Sequence, residues 1–121
     1  MNKPESDFFF CPIDAVLSLI GGKYKPIILY NLLKGKRRYS ELQRLVPRAT
    51  PKVLTQQLRE LERDGLISQT VYPEVPPRTE YAITEYGLTL QSILEDMHLW
   101  GRTYMANRIR PTEPQVVSSS V

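Results

Sequence analysis

Residues 50–67 read TPKVLTQQLRELERDGLI, and the rest of the fold is legible from this stretch outward. Thr50-Pro51 is a helix start: a hydroxyl at the N-cap, then a proline at the first helical position, where its missing N–H costs nothing. At 100° per residue Leu54, Leu58 and Leu61 share one face, and Lys52, Thr55, Gln56, Arg59 and Arg63 share the opposite one. Exposed helices usually interleave Glu with Lys to make i,i+4 pairs. Here Glu60, Glu62 and Asp64 wait until the last turns, and residues 50–59 carry no acid. The outward face is cleared of negative charge.

Upstream, Ser40-Glu41-Leu42-Gln43 has the form of a capping box and predicts a short helix from Ser40, closed by Pro47. With the turn Pro47-Arg48-Ala49 and the helix from Thr50, this makes a helix-turn-helix pattern. Earlier still, Pro12-Ile13 open a helix whose Ile13, Val16, Leu17 and Ile20 follow the i, i+3, i+4, i+7 rule, stopped by Gly21-Gly22. A second helix, about Tyr24 to Leu33, is apolar nearly all round and is expected at the centre of the core.

Downstream, ISQTVY (67–72) and TEYAIT (79–84) predict a two-stranded hairpin with a proline-stiffened tip, Arg78 standing where the chain turns back. From Thr84 one long amphipathic helix is expected to about Arg108, with Leu90, Ile93, Leu94, Met97, Trp100 and Tyr104 along a stripe. The expected division is an N-terminal arm (1–10), one domain (11–108) and a disordered tail (109–121). The fold class is mainly α with a small β-hairpin: a winged helix-turn-helix flanked by terminal helices.

Charge and composition narrow the function. The chain has 121 residues and a net charge of +3, but residues 21–59 hold ten lysines and arginines against one acid, Glu41. The remainder is therefore acidic. Such segregation suits a polyanion, because phosphate contacts supply most non-specific nucleic-acid affinity. No apolar run approaches the roughly 18 residues of a membrane span, and the start MNKPESDFFFCP lacks the pattern of a signal peptide. A cytoplasmic location is expected, with no membrane partner. The single cysteine excludes an internal disulfide framework.

Catalytic chemistry finds no foothold. The only histidine, His98, lies mid-helix without metal-ligand spacing around it. Gly21-Gly22-Lys23-Tyr24 ends like a phosphate loop but lacks the earlier glycine and the following Ser or Thr. One Cys and one His on distant elements do not assemble a nucleophile, base and orienter. The acids Glu60, Glu62, Glu95 and Asp96 read as solvated helix faces. Neither enzyme, cofactor nor metal is expected.

The blocks CPIDAVLSLIGGKYKPIILYNLLKGKRRYSELQRL, VLTQQLRELERDGLI, PRTEYAIT and LTLQSILEDMHLWG together resemble the HxlR-type (DUF24) bacterial transcription regulators over about residues 11–101. That resemblance implies a homodimer bound to pseudo-palindromic operator DNA. In several members it also implies a response to quinones, aldehydes or oxidants through a cysteine just before the first helix. Two departures stand out: Tyr24 replaces the usual Trp after Gly-Lys, and no second cysteine is present to pair across a dimer.

The face of the Thr50 helix now has a partner. Gln can pair with adenine and Arg with guanine through two hydrogen bonds each, and a Thr methyl can touch that of thymine. Thr50, Lys52, Thr55, Gln56 and Arg59 are therefore the expected recognition residues. Arg37, Arg38, Tyr39, Ser40 and Arg48 are expected on the DNA backbone, and Arg78 on phosphate or the adjacent minor groove. Dimerisation is expected from Ile13, Val16, Ile20, Leu90, Ile93, Leu94, Met97, Trp100 and Tyr104. Cys11 has two open readings. As N-cap of the first helix it could be a reactive thiolate that takes a small electrophile or a low-molecular-weight thiol; packed among Phe8, Phe9 and Phe10 it would be inert. The rival function is a winged-helix module for protein contacts, without operator binding.

Overall fold

The structure is a computed structural model that describes residues 8–110; the expected tail lies almost wholly outside the described residues. Six helices and three strands follow in the order α1 (Pro12–Ile20), α2 (Lys25–Leu32), β1 (Arg37–Arg38), α3 (Tyr39–Leu45), α4 (Pro51–Arg63), β2 (Ile67–Tyr72), β3 (Arg78–Ile83), α5 (Glu85–Leu88) and α6 (Gln91–Tyr104). A 3₁₀ turn, Ala106–Arg108, closes the series. The sheet is antiparallel in the order β1-β3-β2, with Ile67 opposite Ile83 and Tyr72 opposite Arg78.

The core forms where the apolar faces meet. Ile28, Leu29 and Leu32 of α2, Leu42 of α3, and Leu54, Leu58 and Leu61 of α4 are all fully buried, joined by Leu66 and Ile67 at the start of β2. Leu61 and Leu66 also close the end of α4: the Leu66 N–H donates to the Leu61 carbonyl at 3.0 Å, and Gly65 turns the chain at φ +79°. Ile27 departs from the all-round burial expected of α2, being 43% exposed.

Four sequence expectations need correction. The Ser40 capping box is displaced: α3 starts at Tyr39 with Arg38 at its N-cap, and Glu41 carries out the reciprocal half of the motif by accepting from the Arg38 N–H at 2.7 Å. Ser40 is inside the first turn. The hairpin has a third strand, since Arg37 and Arg38 pair with Tyr81 and Glu80 of β3; two residues carry too little pattern to signal a strand. Arg78 begins β3 rather than standing at the turn.

The fourth is the closing helix, which is two helices. At Thr89–Leu90 the backbone switches to i→i+3 bonds, Thr89 N–H to Tyr86 O (3.1 Å) and Leu90 N–H to Gly87 O (3.0 Å), while the Thr89 hydroxyl also donates to the Tyr86 carbonyl. Beyond the break, Leu90 and Leu94 enter the core. Ahead of it, Thr84 caps α5 by accepting from the Gly87 N–H at 3.0 Å. Gly87 itself presses on the residue ahead of β2: a Cβ there would collide with the Leu66 carbonyl oxygen.

Candidate nucleic-acid interface

Helix α4 presents its polar face as the sequence requires. Thr50 caps it by accepting from the Val53 N–H at 3.2 Å, and Pro51, Lys52, Thr55, Gln56 and Arg59 line one shallow groove. Lys52, Gln56 and Arg59 are exposed; Thr55 is half-buried.

The helix is held from three sides by residues the sequence did not mark as supports. The Tyr39 hydroxyl of α3 shares a hydrogen bond with Thr55 Oγ1 (3.1 Å) and reaches the Pro51 carbonyl (3.4 Å). From the other flank the Tyr24 hydroxyl donates to the Arg48 carbonyl in the turn (3.2 Å), and the Tyr24 N–H donates to Gln57 Oε1 (2.9 Å). Tyrosine at this position thus supplies a hydroxyl that pins the turn. The third support is Lys25, 5% exposed, whose Nζ lies 2.6 Å from Glu60 Oε1. A lysine is seldom buried without such a partner. The Lys25 ammonium holds the Glu60 carboxyl below the ordinary carboxylate range, more strongly than burial opposes it. Glu60, expected as a solvated acid, is thus half-buried and ion-paired. A signal was present: Lys25 is the only charge in an otherwise uncharged helix.

The expected backbone contacts separate into two groups. Arg38, Ser40 and Arg48 are exposed, the first two lining a cleft shared with Pro76, Pro77 and Thr79 of the wing. Tyr39 and Arg37 are engaged inside the chain, Tyr39 as described and Arg37 by donating to the Asn31 carbonyl at 3.5 Å, near the end of α2. Arg78 does not stand free. Its guanidinium donates to Glu74 (3.0 Å) and Glu80 (3.1 Å) and lies 4.0 Å from the centre of the Tyr72 ring. Two carboxylates around one arginine leave the tip without a net cationic charge. Strand pairing of Tyr72 with Arg78 makes this cluster, and the linear sequence hides it.

The far end of the molecule is apolar and open. Ile13 and Tyr104 are each 69% exposed and Trp100 58%, with Ile93 and Met97 also exposed and Val16 half-buried. Ile20, Leu90 and Leu94, by contrast, are buried in the chain's own core and are not free to meet a second chain. Cys11 is exposed at the N-cap of α1, and Phe8, Phe9 and Phe10 are exposed too, so the packed, inert arrangement is not formed. Among the described residues no three His, Cys, Asp or Glu side chains gather to hold a metal, and no helix is long and apolar enough to cross a membrane.

A braced helix-turn-helix with a three-stranded wing has clear counterparts among known proteins. A family model described as HxlR-like helix-turn-helix matches residues 19–109. The chain belongs to that family. Its relatives include the uncharacterized HTH-type transcriptional regulator YdeP of Bacillus subtilis (strain 168), 50% identical over 98 residues that cover 81% of this chain and 77% of YdeP. The redox regulator HypR in its oxidized form superposes with a TM-score of 0.74 at 43% identity, covering 84% of this chain and all of that one. The reduced form of the transcriptional regulator YodB from B. subtilis superposes at 0.66 with 30% identity, covering 79% and 95%. This HxlR-type chain is accordingly a helix-turn-helix transcription regulator by family, and regulators of this kind are not enzymes.

Proposed function

We propose that the chain binds operator DNA as a homodimer, with α4 of each subunit in the major groove. The observation that carries this reading is the polar face of α4: exposed Lys52, Gln56 and Arg59 on a helix braced by Tyr24, Lys25 and Tyr39. The acid beside Gln56, Glu60, is neutralised by a lysine. Thr50 and the N–H groups of the first turn face a phosphate, and Arg38, Ser40 and Arg48 add contacts to the backbone. Thr55 touches a base through its methyl while its hydroxyl stays with Tyr39. Arg78 reaches phosphate only by exchanging its carboxylates. The dimer forms through Ile13, Val16, Ile93, Met97, Trp100 and Tyr104, and holds two recognition helices about one helical turn of DNA apart.

Selection of duplexes from a random pool, followed by binding at two salt concentrations, tests the reading. A selected site and a steep fall in affinity with salt are expected. Gln56→Ala and Arg59→Ala should each cost roughly 1–3 kcal/mol on that site. A flat salt response with no selected site would favour the protein-contact module instead.

Exposure of Cys11 at a helix N-cap supports a second element, a response to electrophiles or oxidants. HypR, a redox regulator solved in oxidized and reduced forms, and YodB, solved after diamide treatment, lend weight to it. An electrophile would add to the Cys11 sulfur as the thiol loses its proton. Alternatively Cys11 and a low-molecular-weight thiol would give up two electrons and two protons to an oxidant such as diamide and form a mixed disulfide. Mass spectrometry and duplex binding before and after treatment, in wild type and Cys11→Ser, check this. Equal loss of binding in both proteins would count against it.

A further inference from the structure

The neighbour of Gln56 on the reading face raises a question that the braces alone do not answer. An amide side chain can rotate by 180° and exchange its donor and acceptor, so a glutamine that reads bases reads them only as well as its orientation is held. Gln56 Nε2 donates to Glu60 Oε2 at 3.3 Å, and the other oxygen of that carboxylate is 2.6 Å from the buried Lys25 Nζ. An ionised carboxylate only accepts. If the Gln56 amide turned over, its carbonyl oxygen would face another acceptor and the hydrogen bond would become a repulsion.

We propose that Lys25 and Glu60 set base specificity by fixing the amide of Gln56. Lys25 anchors the carboxylate from inside the fold. The carboxylate takes one amide hydrogen, and the edge made of Gln56 Oε1 and the second amide hydrogen is left for the groove. That edge is one acceptor beside one donor, the complement of adenine N6–H and N7. Lys25 and Glu60 are positioning residues in this scheme; neither touches the DNA. The lowered pKa of Glu60 agrees, since the carboxylate stays ionised through the neutral range. The inference rests on α4 reading DNA as proposed above.

The test uses full-length protein and the duplex that wild type selects from a random pool. Base-substituted versions of that duplex compete for binding to wild type, Gln56→Ala, Glu60→Gln and the double variant. Gln56→Ala identifies the base pair that Gln56 reads by flattening preference there. Glu60→Gln puts an amide where the carboxylate was, which accepts or donates equally, so Gln56 is free to turn. Preference at that one base pair should fall about tenfold, the size of one paired contact, with preference elsewhere kept; the melting temperature falls too, because buried Lys25 loses its counter-charge. In the Gln56→Ala background Glu60→Gln should add nothing at that position. A merely structural ion pair would instead weaken all duplexes alike, in either background, with no selective change at that base pair. That result, or unchanged preference in Glu60→Gln, overturns the inference while leaving DNA reading by α4 intact. No effect of Gln56→Ala on any base pair overturns it as well, and absence of a wild-type site overturns the functional reading with it.

Discussion

The helix-turn-helix and the terminal-helix end are built to opposite standards of completeness. Helix α4 buries Leu54, Leu58 and Leu61 and is tied to its neighbours by Tyr24, Lys25 and Tyr39. Helices α1 and α6 each bury a single residue, Ile20 and Leu94, and leave Ile13, Leu17, Met97, Trp100 and Tyr104 in solvent. The first region is finished within one chain. The second leaves large apolar side chains on both helices in solvent, the surface on which the proposed dimer rests.

The largest effect is expected on the finished side. Leu58→Ala empties a site under the reading face that is 1% exposed, and should lower the free energy of unfolding by roughly 2–5 kcal/mol. Urea unfolding at two protein concentrations would show a loss independent of concentration within the subunit core. Trp100→Asp attacks the other side. It should convert a dimer to a monomer by light scattering, keep the subunit's helical content by circular dichroism, and weaken operator binding about 100-fold, because two linked half-sites become one. A variant that remained dimeric would move the interface elsewhere.

Smaller changes probe the braces. Tyr39→Phe removes the hydroxyl that meets Thr55 and Pro51, and should cost about 1 kcal/mol in denaturant unfolding. The Lys25–Glu60 pair predicts a pH dependence with a definite sign. The folded-state pKa of Glu60 lies below its unfolded value, so its contribution is fully present above the ordinary carboxylate value of 4.5 and is lost as pH falls through the folded value. Lys25→Met should therefore shift the acid-unfolding midpoint to higher pH; an unchanged midpoint would deny the pair that role. Arg78→Ala should do least. Its pair with Glu74 is exposed and worth less than about 1 kcal/mol, and its pair with the part-buried Glu80 adds a modest further contribution. Because the tip is already neutralised, the salt slope of DNA binding should not change.

What the sequence made legible follows the same division. Period and caps alone foretell α4 and its leucine face, since Thr50-Pro51 and Gly65 are local signals with fixed positions. The hairpin is foretold for a similar reason. The supports of α4 join residues distant in the chain, Tyr24 with Arg48 and Gln57, Lys25 with Glu60, and only Lys25, the one charge of α2, left a local trace of its role. Arg78 was misread on the same ground, a charge counted as free before β-pairing set Tyr72 and Glu80 around it. The apolar stripe of the closing helix was read correctly as to residues but not as to destination. Leu90, Leu94 and Trp100 all belong to α6 and its N-cap, and the packing of that helix on the core takes Leu90 and Leu94 inward while Trp100 stays in solvent.

Gly87 carries a consequence for how such chains can be rebuilt. With the Leu66 carbonyl where a Cβ would stand, α5 is mortised into the foot of the wing, and position 87 is closed to any side chain. Thr84 doubles the joint by capping α5 while bonded to the Gly65 carbonyl at 2.6 Å. Wing and α5 are thus one cassette. A chimera that exchanges α6 between two regulators of this kind should cut after Thr89, where the helical ladder is already interrupted, rather than between β3 and α5, where the cut would split the joint.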